Sequence, residues 1–106
     1  MAMVKAIVKR PDELVGHMTN VSDRLETMQK TVGGYIETVT LDRQVVVICN
    51  EEGIIKGLDP NCVVCGIPFY GTIVAIGYDN KGNFSDIPIK MPEWRERYLK
   101  IKKIGG

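Results

Sequence analysis

Apolar positions along the chain follow two periods, and the switches between them predict its elements. Met3 to Val8 alternate small or apolar residues with charged ones and stop at Arg10-Pro11, which predicts a first strand. Pro11 and Gly16 mark a loop. From Asn20 the spacing becomes helical: Val21, Leu25, Met28 and Val32 lie four, three and four residues apart on one apolar face. This predicts a helix opening near Thr19 or Asn20, with Asp23 favoured at the positive end of its dipole and Gly33 as a left-handed stop.

Strand patterns come next. Tyr35 to Leu41 and Gln44 to Asn50 are rich in β-branched residues and separated only by Asp42-Arg43, so they read as a hairpin. Val45, Val46, Val47 and Ile48 are consecutive apolar positions, which places this strand centrally and covers both its faces. Glu51-Glu52-Gly53 turns the chain, and Ile54-Ile55 is expected to add a short strand. Lys56 to Phe69 reads as loop, with Gly57, Pro60, Asn61, Gly66 and Pro68 supplying turn chemistry. Gly71 to Tyr78 is a buried strand and Asp79 to Gly82 a polar turn. Pro92 can open a last helix that docks through Trp94, Tyr98 and Ile101. The predicted fold class is α+β: a mainly antiparallel sheet of about four or five strands, packed with one central helix and followed by a C-terminal helix. A single domain is expected over 3–90, with a basic helix or tail over 91–106.

Composition narrows the classes of function. Apolar residues make up 44% and charged residues 25% of the 106, ordinary globular values. The net charge of +1 provides no global field toward nucleic acid or acidic lipid. No apolar run approaches the roughly 18 to 20 residues of a membrane span, so a cytoplasmic protein without a membrane partner is expected. The three cysteines, Cys49, Cys62 and Cys65, are an odd number, which favours reduced, buried thiols over a disulfide framework.

Candidate chemistry is sparse. Cys62-x-x-Cys65 with Cys49 and His17 has the numbers of a zinc site but not its paired knuckles, and Val63-Val64 looks like packing; no metal and no cofactor are expected. His17, beside Gly16, reads as a solvated loop residue rather than a base for a thiol. Glu51 and Glu52 diverge at a turn, whereas Glu37 interrupts the apolar face of Tyr35, Val39 and Leu41 and so points into a pocket or toward a sheet edge. Gly33-Gly34 follows a helix, whereas phosphate loops precede one. Gly71-Thr72 can present backbone amides to a ligand. In the tail, Trp94 stands among Arg95, Arg97, Lys100, Lys102 and Lys103, the mixture of stacking surface and positive charge used on nucleic acids, diluted by Glu93 and Glu96.

Three segments carry a resemblance: LETMQKTVGGYIETVTL, VICNEEGIIKGLDPN and YGTIVAIGYDNKGNFSDI. Together they resemble the uncharacterised domain-of-unknown-function family numbered 3846, small proteins of phages, plasmids and conjugative elements in Gram-positive gut bacteria. The resemblance spans about Val4 to Ile87, and its most specific part is Q-x-x-V-G-G-Y-I-E. It falls on Gln29, Val32, Gly33, Gly34, Tyr35, Ile36 and Glu37, then Asn50, Glu51, Gly53 and Asn61, then Gly71 and Thr72. Packing accounts for Val32, Ile36 and the glycines. Gln29, Tyr35, Glu37, Asn50, Glu51, Asn61 and Thr72 are therefore the candidate ligand surface, and Gln29, Tyr35, Glu37, Asn50 and Asn61 are expected to converge on one concavity. The resemblance implies genomic context and fold rather than a reaction.

The leading expectation is a non-enzymatic binding protein of a phage or mobile element, acting on a host protein or a small nucleotide-like ligand, with counter-defence as one version. One alternative is a nucleic-acid-binding accessory protein using Trp94, Arg95, Arg97, Lys100, Lys102 and Lys103. Another is a small enzyme using the Glu37 and Glu51 carboxylates or Cys62 as nucleophile. Edge-strand pairing leads us to expect a homodimer.

Overall fold

The computed structural model describes residues 2–42 and 44–101. Along them run β1 (Met3–Lys9), β2 (His17–Ser22), α1 (Leu25–Val32), β3 (Ile36–Thr40), β4 (Val45–Asn50), β5 (Pro60–Val64), β6 (Ile67–Tyr70), β7 (Ile73–Tyr78), β8 (Phe84–Ser85) and α2 (Met91–Glu93). α2 passes directly into a π-helical turn, Trp94–Tyr98. The fold is α+β, as the pattern predicts. A six-stranded sheet runs in the order β2-β1-β7-β4-β3 with β8 on β7, every pair antiparallel, and β5–β6 forms a separate hairpin. No helix among the described residues is long and apolar enough to cross a membrane.

The uninterrupted apolar run of β4 is explained by layers on both sides of the sheet. On one face Val46, Ile48, Val74, Ile76, Ala6 and Val8 pack under α1 through Met28 and Val32. On the other, Val45, Val47, Cys49, Ile73 and Ala75 meet Val64 and Phe69 of the β5–β6 hairpin and Trp94 and Tyr98 of the C-terminal turn. All six residues of β4 are buried. Each fully buried aliphatic side chain contributes about 1.5–3 kcal/mol, so β4 and β7 anchor the molecule. Trp94 and Tyr98 dock as expected, with rings stacked at 5.9 Å and the Trp94 indole N–H donated to Val15 O at 2.9 Å.

Three expectations fail for tertiary reasons. The helix begins at Leu25, not near Asn20, because His17–Ser22 pairs along β1 from Val8↔His17 to Met3↔Ser22. Val21 thus packs from a strand, and Leu25 is 52% exposed. Neither Thr19 nor Asn20 caps α1. Ile54-Ile55 forms no strand but sits on an ordered turn over residues 51–57. The stretch expected as loop holds β5 and β6, joined at Cys65-Gly66 with φ of 49° and 82°, as a two-residue hairpin turn requires. Arg43 of the expected β3–β4 turn lies outside the described residues.

The twin glycines at the helix-to-strand junction have different causes. Gly33 has φ of 82° and its N–H closes the helix on Gln29 O at 2.9 Å, a conformation costly for any residue with a Cβ. Gly34 has ordinary φ, but a Cβ there would stand 2.9 Å from Asn50 Nδ2. The junction is built around that amide.

Candidate functional site

Asn50 ends β4 buried in the protein and organises the turn after it. Its Nδ2 donates to Val32 O at 3.1 Å, one of the carbonyls that α1 cannot satisfy itself, and its Oδ1 accepts from Glu52 N at 2.8 Å. Glu51 N donates to Tyr35 O and Gly53 N to Asn50 O, so both sides of the turn are tied down. From there the backbone carries Ile54 and Ile55 out into solvent, 72% and 84% exposed.

Beneath that turn lies an open groove of about 380 Å³. β3 supplies Glu37 and Val39, β4 supplies Cys49, and β6 supplies Ile67 to Tyr70 as the opposite wall. Glu37, Glu51 and Glu52 put three carboxylates on a mostly apolar surface. Glu52 reaches Lys56 only at 4.0 Å, and no ion pair of Glu37 or Glu51 occurs among the described residues. β3 is also an edge of the main sheet, so among the described residues its outer row of N–H and C=O groups faces no strand.

Cys49 sits across from Glu37 in the ladder, its Sγ 3.7 Å from Glu37 O and 3.9 Å from Glu37 Oε1. Burial first, and then the Glu37 charge, push its thiol up to about 11. Burial likewise raises Cys62, against the opposing charge of Lys9. Both thiols are protonated at neutral pH and are poor nucleophiles. Cys65 corrects the expectation of buried thiols, since it is exposed at the hairpin turn. His17 pairs with Glu13 at 2.9 Å. Among the described residues no three His, Cys, Asp or Glu side chains gather as metal ligands.

The expected ligand residues do not converge. Glu37, Asn50 and Glu51 share the groove. Asn61 lines a second cavity, together with Lys9, while Gln29, Tyr35 and Thr72 line neither. Tyr35 is 68% exposed just before β3. Asn50 is polar for a structural reason, because its amide is spent on backbone groups, while Asn61 donates to two backbone carbonyls and accepts from Lys9 Nζ. What sequence reasoning missed is the pair Ile54-Ile55, read as strand, and Lys9, the last residue of β1. A doublet of large apolar residues between an acidic turn and Lys56-Gly57 was the available signal for the first; a lysine closing a strand gives none.

The C-terminal candidates also separate. Trp94 is fully buried and cannot stack on a base. Arg97 is engaged by Glu93 at 2.9 Å, Arg95 and Lys100 are exposed, and Lys102 and Lys103 lie outside the described residues.

Fold and groove together define a small α+β protein with a carboxylate-rimmed apolar concavity beside a free sheet edge. Comparison with curated proteins and with solved structures finds no match. The chain does match, over residues 4–99, the family described as Domain of unknown function (DUF3846), and it belongs to that family.

Proposed function

We propose that this is a non-enzymatic binding protein that takes an extended, basic and apolar segment of another protein into the Glu37 groove. The observation that carries the reading is the placement of two exposed isoleucines, Ile54 and Ile55, over a groove rimmed by Glu37, Glu51 and Glu52. Covering both isoleucines would contribute about 3–6 kcal/mol before the costs of association. The free edge of β3 offers main-chain hydrogen bonds to the same segment, and no proline, lysine or bulge guards it.

Charge selects among partners. The carboxylates repel phosphate, so a nucleotide-like ligand fits this groove poorly. A second copy paired across β3 would bring its own carboxylates against these, which favours a different protein over a homodimer. In a protein of a phage or mobile element, occupying a host protein in this way would serve counter-defence.

The test is fluorescence anisotropy with labelled ten-residue peptides that alternate β-branched residues with either lysine or glutamate. The lysine peptide should bind, weaken with salt, and lose affinity at least tenfold in Ile55→Asp and in Glu37→Lys. Equal binding of the glutamate peptide, or unchanged affinity in Ile55→Asp, would refute the reading.

A further inference from the structure

Among the described residues, the second cavity holds an ammonium that no carboxylate pairs with. Lys9 is 2% exposed, yet its Nζ meets only neutral oxygens, Asn61 Oδ1 at 2.6 Å and Arg10 O at 3.4 Å. No ion pair of Lys9 occurs among the described residues. The amide beside it is locked. Asn61 Nδ2 donates to Lys9 O at 2.8 Å and to Gly71 O at 2.7 Å, so Oδ1 has to face the ammonium. An ammonium out of water is strongly disfavoured unless an anion and hydrogen bonds compensate it. Here the hydrogen bonds are partly in place, and no carboxylate of the described residues completes them.

The space beside the ammonium is open, about 540 Å³, within the range of small-molecule sites. Leu14, Val63, Leu99 and Ile101 make much of its wall. Asp12 and Glu13 also line it and oppose a multiply charged anion such as phosphate. One buried positive charge and apolar walls suit a ligand with a single negative charge and an apolar body, which Asp12 and Glu13 oppose less than they oppose phosphate.

We propose that this cavity binds an amphipathic monocarboxylate, with its carboxylate on the Lys9 ammonium and its alkyl part against Val63, Leu99 and Ile101. The carboxylate takes the donor now directed weakly at Arg10 O, and Asn61 keeps its place. This site is separate from the Glu37 groove, and neither reading depends on the other.

The experiment is a thermal-unfolding titration of the full chain with sodium hexanoate, against hexanamide, inorganic phosphate and sodium chloride at matched ionic strength. Hexanoate should raise the midpoint in a saturable way, since binding to the folded state alone must stabilise it, and the other three should not. Lys9→Met should abolish the shift. Val63→Asp, which charges a 54% exposed wall residue, should abolish it as well and decides the matter even where Lys9→Met folds poorly. No hexanoate shift, an equal shift with hexanamide or phosphate, or a shift that persists in Val63→Asp would overturn the proposal.

Discussion

Asn50→Ala tests whether the centre of the helix-to-strand junction is architecture. The substitution leaves Val32 O without its donor and Glu52 N without its acceptor. Leaving a buried polar group unpaired costs about 1–3 kcal/mol, and Glu52 N, nearer the surface, takes the low end, for a total of about 2–4 kcal/mol. Against a typical stability of about 5–15 kcal/mol this is a large loss. In a urea titration it should lower the midpoint by about 1–3 M with the slope unchanged. Asn50→Asp refines the assignment. It keeps an acceptor for Glu52 N but sets a carboxylate oxygen against Val32 O. Its destabilisation should therefore shrink as pH falls, because the protonated acid can donate to that carbonyl again. A midpoint for Asn50→Ala close to wild type, or an Asn50→Asp deficit independent of pH, would show that the amide does not hold the junction.

Two further outcomes concern groups whose titration the fold changes. Asp42 accepts the Tyr98 hydroxyl at 2.5 Å, which holds its carboxyl below the usual range, while burial and then Asp42 push Tyr98 upward. The Asp42 contribution is present above its unfolded value, about 4, and is lost as pH falls through the lower folded value; that of Tyr98 is present below about 10 and is lost as pH rises toward the higher one. Tyr98→Phe should thus flatten both the acid and the alkaline edge of a stability-versus-pH curve, and an unchanged curve counts against the pair. Among the thiols, a maleimide at neutral pH should modify exposed Cys65 first and Cys49 only as the protein unfolds, read by intact and peptide mass spectrometry. Labelling of Cys49 as fast as Cys65 would mean that the Glu37–Cys49 region is open to solvent in a way this structure does not have.

Much of the fold was legible because it rests on local regularities. The consecutive β-branched residues of β4 favour a strand covered on both faces, and it is buried throughout. The glycine after Val32 ends the helix at the expected residue with the expected positive φ. Trp94 and Tyr98 share a docking stripe because four-residue spacing survives the change to a π-helical turn. At the start of the helix the reading failed because two periods competed over one segment. Residues 17–22 carry apolar positions compatible with helix or strand, and pairing to β1 decides for strand.

Chain order and residue type by themselves determined the class, the central strands, the breaks and the polar residues worth watching. Tertiary structure alone decided their roles. A side-chain amide has the same letter whether it meets a ligand or a backbone carbonyl, and Asn50 and Asn61 meet carbonyls. Two isoleucines after an acidic turn become a surface on a turn that Asn50 ties down, and a lysine at a strand end becomes a buried charge where β5 and the loop before β2 pack around it. The physical reason is the same in each case: periodicity records which face of an element is apolar, while the partner of a polar group is set by contacts between elements far apart in the chain.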